Sequence, residues 1–308
     1  MFNKIDKLVT VTVIAYHSEK TIIETLDSIL NQTYDIKNIE VIISDDGSSD
    51  NTLFLASEWQ KLHLDKFHSV HIVSHDKNQG VVANCNQAWR LARGHWIKTI
   101  AADDLLLPEC IEINVNYIAE HPCTKLLFSN MISFTKSGQK KIIKHNVQKI
   151  SCGREKQYEN ILRECYLLAP TSFINKNVLV DVDFGDQTYP MVEDYPLWLR
   201  CLDNGYKFDY LNAETVLYRI GDSLSQQGTK IGNVLYLKSL YLFQKEKIWP
   251  QLPPNLFLKK WDDTVLYYQR IYWIKLFGNN MSVYYKIFVF LLLLFRPYRL
   301  FSFFRKKH

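Results

Sequence analysis

The first 105 residues alternate between two hydrophobic patterns. Short runs rich in β-branched and apolar residues predict four buried strands, over 9–15, 39–44, 70–74 and 96–101. Helical spacing separates them: Ile22, Leu26 and Ile29 recur at i, i+4 and i+7, and a second apolar stripe runs from Val81 to Ala92. This alternation predicts an α/β domain with a mostly parallel sheet and helices on both of its faces.

The hydrophobic pattern changes in the second half of the chain. Residues 126–133 and 204–220 contain strand patterns, whereas 155–167 and 193–202 have helical spacing. After about residue 226 the pattern is helical, with a predicted break at the proline-rich stretch 249–254. We therefore expect an α/β domain over residues 1–225, followed by a helical extension over 226–308.

Positive charge is concentrated at the C-terminal end of the 308-residue chain, which has a net charge of +5. Six basic residues and no acidic residue lie between Ser282 and His308, so the rest of the chain carries −1. A nucleic-acid-binding protein would show a basic patch within a recognisable module, and we expect no such partner here. The six cysteines have no C-x-x-C spacing and the N-terminal residues form no secretory signal, which predicts reduced thiols in the cytoplasm.

Pairs of carboxylates follow the predicted strands. Asp45-Asp46 and Asp103-Asp104 end the second and fourth strands, and Glu193-Asp194 opens a later helix. Ligands of such sheets bind beyond the carboxyl ends of the strands, where carboxylates can bind a base, ribose hydroxyls or a hard divalent cation. Taken singly, each pair is equally typical of a turn, a helix cap or a charge that complements a helix dipole.

Order and spacing of these motifs give the chain a specific resemblance. The stretches are 11–34 (VTVIAYHSEKTIIETLDSILNQTY), 39–52 (IEVIISDDGSSDNT), 78–109 (NQGVVANCNQAWRLARGHWIKTIAADDLLLPE), and 193–206 (EDYPLWLRCLDNGY) with 217–225 (LYRIGDSLS). Over roughly residues 8–225 the chain resembles family-two glycosyltransferases of the bacterial surface-polysaccharide type. The resemblance implies the nucleotide-sugar-binding α/β fold called GT-A.

The resemblance also implies three sets of site residues. The donor-binding set comprises Ala15, Tyr16, Glu19, Asp45, Asp46, Asn78, Gly80, Ala102, Asp104 and Arg219. Within it, Asp45 matches the carboxylate that binds the base, usually uracil. Asp194 matches the general base, with Glu193 beside it, and Asp103 matches the carboxylate that holds a divalent cation, Mg²⁺ or Mn²⁺.

Two positions depart from the family's pattern. Ala101 stands where the metal-binding signature has its first aspartate, so one ribose or metal contact is missing unless Asp104 supplies it. Cys85 stands where the family often has arginine. Neither change removes the implied base or the best implied metal ligand.

The C-terminal tail, about residues 282–308, combines apolar and basic character. Residues 287–295 (IFVFLLLLF) are all apolar, but a membrane-spanning helix needs about 20 such residues. Aromatic and basic residues alternate after them, which is typical of a segment at the membrane interface. A helix packed on the body of the protein, or an oligomer interface, remains open as the alternative.

Together these features predict transfer of a sugar from a nucleotide diphospho-sugar, usually UDP-linked, to an acceptor hydroxyl, with inversion at the sugar. The tail favours a lipid-linked oligosaccharide acceptor in O-antigen, capsule or exopolysaccharide synthesis, at the cytoplasmic face of the plasma membrane. A dinucleotide-dependent oxidoreductase is disfavoured because residues 16–19 lack the glycines of its phosphate-binding turn. Ala101 leaves a second alternative, a non-catalytic nucleotide-binding or scaffold subunit of a polysaccharide-synthesis complex.

Overall fold

The structure, a computed structural model, describes residues 7–135, 137–221 and 230–299. The chain divides into two compact units, Met1–Ile220 and Gly221–His308. This division falls five residues before the predicted domain boundary.

Strands of the first unit form one sheet. Its strands are β1 (Val9–Ala15), β2 (Ile39–Asp45), β3 (Ser69–Ser74), β4 (Trp96–Ala101), β5 (Leu105–Leu106), β6 (Leu126–Phe134), β7 (Lys140–Ile143), β8 (Phe173–Asn175) and β9 (Asp209–Arg219). Its helices are α1 (Ile22–Leu30), α2 (Thr52–His63), α3 (Val81–Leu91), α4 (Cys110–Glu120), α5 (Val147–Ile150), α6 (Arg154–Arg163), α7 (Lys176–Asp181) and α8 (Asp194–Asp203). The four strands predicted in the first 105 residues are confirmed to within one residue at each end.

The sheet is parallel in its first half and mixed in its second. Its order is β3-β2-β1-β4-β8-β6-β9-β5, with β7 paired to β6. Strands β3, β2, β1 and β4 are mutually parallel, as the sequence predicts. Strand β8 then runs antiparallel to both β4 and β6, whereas β9 is parallel to β6.

Helices cover both faces of the parallel half. On one face, Val11 and Val13 of β1 share a core with Ile22 and Leu26 of α1. On the other face, Trp89 of α3 donates a hydrogen bond to Thr99 of β4 at 2.8 Å. Because β1 is covered on both sides, it is β-branched along most of its length, and its threonines are buried as fully as its valines.

The second unit is helical. Helix α9 (Val234–Phe243) leads through a π-helical turn (Gln244–Ile248) and two 3₁₀ turns (Trp249–Gln251 and Pro254–Leu256) into α10 (Phe257–Phe277) and α11 (Val283–Leu292). The turns at 249–256 confirm the break predicted at the prolines. In the part of the chain that the structure describes, no helix is both long and apolar enough to cross a membrane.

Candidate functional site

The ends of three parallel strands place two of the predicted acidic pairs at one edge of the sheet. Ala15 pairs with Asp45, and Ile14 with Ala101, so β1, β2 and β4 finish together. Backbone hydrogen bonds extend this alignment: the Asp46 N–H donates to the Ala15 carbonyl at 3.0 Å, and the Ala102 N–H to the Ile14 carbonyl at 2.9 Å. The two acidic pairs therefore follow on either side of β1.

Asp45 closes the turn after β2. Its side chain is fully buried, and it accepts hydrogen bonds from the Ser48 N–H at 2.8 Å and from the Ser74 hydroxyl at 3.3 Å. The turn needs glycine at position 47, where φ is +72° and a Cβ atom would lie 2.7 Å from the Lys77 backbone. These contacts hold the Asp45 carboxylate in a fixed orientation at the end of β2.

Asp46 holds the loop that contains Asn78 and Gly80. Its two carboxylate oxygens accept hydrogen bonds from the backbone N–H groups of Gln79 and Gly80, at 2.8 and 2.9 Å. The Asn78 side-chain oxygen accepts from the same Gly80 N–H at 3.1 Å. Burial raises the pKa of Asp46, although both N–H groups favour its ionised form. The Asp46 side chain thus positions this loop by accepting hydrogen bonds from the backbone N–H groups of the loop.

The same loop meets the segment that leads into α8. Gly80 has φ +94°, and a Cβ atom there would lie 2.7 Å from the Pro190 carbonyl oxygen. That oxygen also accepts a hydrogen bond from the Val82 N–H at 3.2 Å. Because Pro190 precedes the third acidic pair by three residues, this contact brings the pair towards the end of β2.

The electrostatic neighbours of Cys85 support the same juxtaposition. Burial raises the pKa of its thiol well above the usual value, and the charges of Glu193, Asp46 and Asp194 raise it further. The position that departs from the family's arginine therefore lies among carboxylates from two predicted motifs.

Glu193 and Asp194 stand at the first turn of α8, both partly buried. One Asp194 oxygen accepts a hydrogen bond from the Tyr195 N–H at 2.6 Å, and the Cys165 thiol lies 3.9 Å from the other. Burial raises the pKa of both carboxyl groups, and the charge of Asp194 raises the pKa of Glu193 further. Carboxylates whose pKa is raised in this way are suited to accept a proton.

Asp103 and Asp104 face different surroundings after β4. The side chain of Asp104 is only 1% exposed and accepts a hydrogen bond from the Arg219 N–H at 2.8 Å. Burial and the neighbouring Asp103 raise the pKa of Asp104 to about 8. Asp103 remains partly exposed, and burial raises its pKa as well. The Asp104 carboxylate is turned inward and is bound by the backbone N–H group of Arg219. Its contact with the donor stays a prediction.

Arg219 lies over the same turn. Its Nε donates to the Asp103 carbonyl at 2.7 Å, and its terminal Nη2 forms an ion pair with Glu24 at 2.5 Å. Its charge lowers the pKa of Asp103 against the effect of burial. The structure therefore brings Arg219 to Asp103 and Asp104.

Residues of the first loop are placed beside the start of α2. Tyr16 is 44% exposed and stacks on His17 with 4.1 Å between ring centroids. Glu19 accepts hydrogen bonds from the backbone and side chain of Asn51, at 3.2 and 3.3 Å. Ala15 is fully buried, so it contributes to this edge only its carbonyl oxygen, which accepts a hydrogen bond from the Asp46 N–H.

The acidic groups could bind a divalent cation only together with ligands from the substrate and water. Within the described ranges, no group of three or more His, Cys, Asp or Glu residues could hold a metal ion by itself. Asp103 offers a carboxylate, and Ala101 offers none. Mg²⁺ commonly takes one or two carboxylates and completes its shell with substrate phosphates and water. The residues present therefore fit a cation shared with a diphosphate, and they do not fit a cage made by the protein alone.

Three residues that contact the site were not among the predicted site residues. Glu24 lies on a helix 195 positions before its partner Arg219, and Cys165 reaches Asp194 across 29 positions. Pro190 contacts Gly80 through its carbonyl oxygen, which any residue type would carry. Glu24 alone had a local clue, because it is an acidic residue in the first turn of α1, near the predicted site.

The fold and this edge define a class of protein. Residues 10–180 match the family model of glycosyl transferase family 2, and the chain belongs to that family. It is a glycosyltransferase.

Individual relatives agree with this assignment. The chain is 30% identical over 223 residues to an uncharacterized glycosyltransferase of Methanocaldococcus jannaschii, covering 71% of this chain and 73% of the relative. It is 28% identical over 214 residues to the UDP-Glc:alpha-D-GlcNAc-diphosphoundecaprenol beta-1,3-glucosyltransferase WfaP of Escherichia coli, covering 70% and 78%. Among solved structures, the mannosyltransferase PcManGT of Pyrobaculum calidifontis, in complex with GDP-Man and Mn²⁺, has a TM-score of 0.60 at 18% identity, covering 96% and 82%.

Proposed function

We propose that this glycosyltransferase moves a sugar from a UDP-sugar to a hydroxyl of a lipid-linked saccharide, with inversion at the transferred sugar. The observation that carries the proposal is the meeting of two motifs at one sheet edge. Asp46 holds the Gly80 loop, Gly80 contacts Pro190, and the Glu193-Asp194 pair follows directly. A donor bound beyond β2 would thus have its reacting carbon near a carboxylate able to take a proton.

The donor is proposed to bind by its base at Asp45 and by its diphosphate near Asp103. A carboxylate fixed by Ser48 and Ser74 is an acceptor for the N–H group of uracil. The Escherichia coli relative is named for a UDP-Glc donor. The archaeal structural neighbour is bound to GDP-Man, so a guanine nucleotide is the alternative donor that an experiment must include.

Asp194 is proposed to be the general base. It takes the proton of the acceptor hydroxyl while the acceptor oxygen bonds to the anomeric carbon of the sugar. The bond from that carbon to the diphosphate oxygen breaks, and the nucleotide leaves with the electron pair. Attack opposite the leaving group inverts the anomeric configuration.

Asp103 is the residue proposed to hold Mg²⁺ or Mn²⁺ together with the diphosphate. Such a cation supplies positive charge that stabilises the leaving diphosphate. Arg219 lies beside this position, but Glu24 pairs with its guanidinium, so part of its charge is neutralised locally. The arrangement supports a requirement for added positive charge at the diphosphate.

The acceptor is proposed to be a saccharide on a polyprenyl diphosphate at the cytoplasmic face of the plasma membrane. The Escherichia coli relative is named for a diphosphoundecaprenol-linked acceptor. The tail at 282–308 supplies apolar and basic residues for this surface. Its residues 300–308, including Arg305, Lys306 and Lys307, lie outside the described residues.

The test is a panel of donors with one acceptor. UDP-Glc, UDP-GlcNAc and GDP-Man are each mixed with polyprenyl-diphosphate-GlcNAc, and release of the nucleoside diphosphate is measured together with the product. We expect turnover with a UDP-sugar and an inverted linkage by NMR. Turnover with GDP-Man alone would overturn the donor assignment. Binding of UDP without turnover of any donor would favour a scaffold role.

A further inference from the structure

Helix α10 exposes an apolar stripe along its whole length. Phe257, Trp261, Tyr268, Tyr272 and Leu276 recur at i, i+4, i+11, i+15 and i+19, within about 100° around the helix. Their exposed fractions lie between 42% and 69%. An amphipathic helix on the surface of a water-soluble body would show polar residues in these positions.

The buried positions of α10 are polar. The three residues that are buried in this fully described helix are Lys259, Asp262 and Gln269. Lys259 forms an ion pair with Asp263 at 2.6 Å, and Asp262 accepts hydrogen bonds from the backbone that follows α11, at Tyr298 and Arg299. Lys259 and Asp262 therefore have partners inside this unit while the apolar stripe of α10 faces outward, the reverse of the usual arrangement of a surface helix in water.

Helix α11 continues the apolar surface. Tyr284, Ile287, Phe290, Leu291 and Leu294 are each at least 52% exposed, in α11 and the short 3₁₀ turn that ends it. The opposite side of α11 packs on α10, where Trp273 contacts the rings of Tyr285 and Phe288 at 5.3 and 5.0 Å. The Trp261 Nε1 donates to the Phe295 carbonyl at 2.8 Å, so the two helices form an antiparallel hairpin.

Charge identifies the surface that this hairpin fits. Residues 221–308 contain 14 Lys or Arg and 4 Asp or Glu, a net charge of +10, which leaves −5 for residues 1–220. No acidic residue follows Asp263. A second copy of this unit would bring two net charges of +10 together, whereas an anionic lipid surface satisfies both the charge and the exposed apolar groups.

We propose that the α10–α11 hairpin is a monotopic membrane-binding element whose exposed apolar stripes lie in the acyl boundary of an anionic leaflet. This extends the membrane contact from the tail to the two helices, and it rests on the proposed function only for its biological purpose. Lys275 and Lys286, exposed on the same helices, reach the lipid phosphates while their aliphatic stems remain with the apolar residues.

The experiment compares three full-length proteins by co-sedimentation with vesicles of phosphatidylcholine alone or mixed with phosphatidylglycerol. One variant carries Leu276→Glu, Ile287→Glu and Leu291→Glu. The matched control carries Phe54→Glu, Leu62→Glu and Leu64→Glu, three comparably exposed apolar residues of the first unit. Both variants change the net charge equally. We expect the parent and the control to bind anionic vesicles and the hairpin variant to lose about tenfold or more in partitioning.

Each other outcome overturns the proposal. Equal losses of vesicle binding in both variants would mean that net charge alone drives binding. If neither variant loses binding, or if the parent stays in the supernatant, the hairpin has no membrane role. A parent that sediments as a dimer without vesicles, while the hairpin variant is a monomer, would assign the surface to a second copy. UDP binding by all three proteins controls for folding, with Ile287→Glu alone as the milder variant.

Nucleotide release measured without vesicles separates this inference from the proposed function. Transfer that persists in a hairpin variant unable to bind vesicles supports both assignments. Vesicle binding by a parent that turns over no donor would instead remove the proposed reaction and leave the hairpin assignment intact.

Discussion

Replacing Asp194 by asparagine tests the proposed reaction at its most specific point. The amide oxygen can still accept the hydrogen bond that the Tyr195 N–H makes at 2.6 Å, and the amide nitrogen would face the Cys165 sulfur at 3.9 Å. The local hydrogen bonds can therefore be kept, while the change removes the negative charge and the ability to take a proton. Loss of a general base typically lowers a rate by about 10²–10⁴-fold, or about 2.7–5.4 kcal/mol in activation free energy.

The assay is single-turnover transfer, with UDP affinity measured by calorimetry on the same samples. We expect the rate to fall by this factor and UDP affinity to remain within about twofold, because the base contacts the acceptor and not the nucleotide. Asp203→Asn, the same substitution at the other end of α8, is the matched control and should keep the parent's rate. A rate for Asp194→Asn within a few-fold of the parent would refute the assignment of Asp194 as base.

The pH dependence adds an independent readout. Burial raises the pKa of Asp194 above its usual value near 3.8, so the loss of transfer on lowering the pH should be centred above that value. Burial and the charge of Asp194 both raise the pKa of Glu193 and keep it protonated to higher pH, and Glu193→Gln imitates that neutral form. We expect this variant to lose no more than about tenfold in rate at neutral pH. An acid limb centred at the usual carboxyl range would contradict the effect of burial.

Four further predictions address the donor, the fold and the membrane. Chelation should abolish transfer, and Mg²⁺ or Mn²⁺ should restore it. Asp103→Ala should weaken UDP binding only when the cation is present. Full activity in chelator would exclude a metal-binding role for Asp103. Asp45→Ala should lower UDP affinity by about 10- to 150-fold, as expected for a hydrogen bond to a charged group; unchanged affinity in a folded variant would leave Asp45 a turn residue. The folded-state pKa of Asp104, about 8, lies above its ordinary value. This group therefore lowers the free energy of unfolding as pH rises from about 4 to 8, by up to about 1.4 kcal/mol per pH unit. Asp104→Asn should flatten that pH dependence in urea titrations, and an identical slope in the variant would refute this contribution of Asp104. Removing residues from Ser282 onward should weaken binding to anionic vesicles without changing UDP binding, because it removes α11 but keeps the exposed stripe of α10; unchanged vesicle binding would contradict a membrane role for the tail.

Local sequence signals predicted the parallel half of the sheet well. Strands β1, β2 and β4 are buried on both faces, which requires runs of β-branched residues that are visible in any short window. Strand β8 has three residues and β5 has two, and both depend on partners far along the chain. No short window contains that information, so their pairing could not be predicted from local pattern.

The same distinction applies to the candidate site. The positions of Asp45, Asp103 and Asp194 follow from where strands and helices begin and end, which the sequence indicates. The inward orientation of Asp104 is different, because it depends on the N–H group of Arg219, 115 residues away. In the helical extension, an apolar stripe such as that of α10 is the same in sequence whether it faces a core or a membrane. Only the structure reveals that its buried positions are the polar ones.

The contact between Gly80 and Pro190 limits how this sequence can diverge. A side chain at position 80 would need both an unfavourable positive φ and a displaced Pro190 carbonyl, so substitution there requires movement of the segment before α8. Insertions in that segment would shift the Glu193-Asp194 pair relative to the loop that Asp46 holds. Relatives that keep the same acceptor chemistry should therefore keep the three-residue spacing from Pro190 to Glu193, and variation in length should accumulate in loops outside this segment.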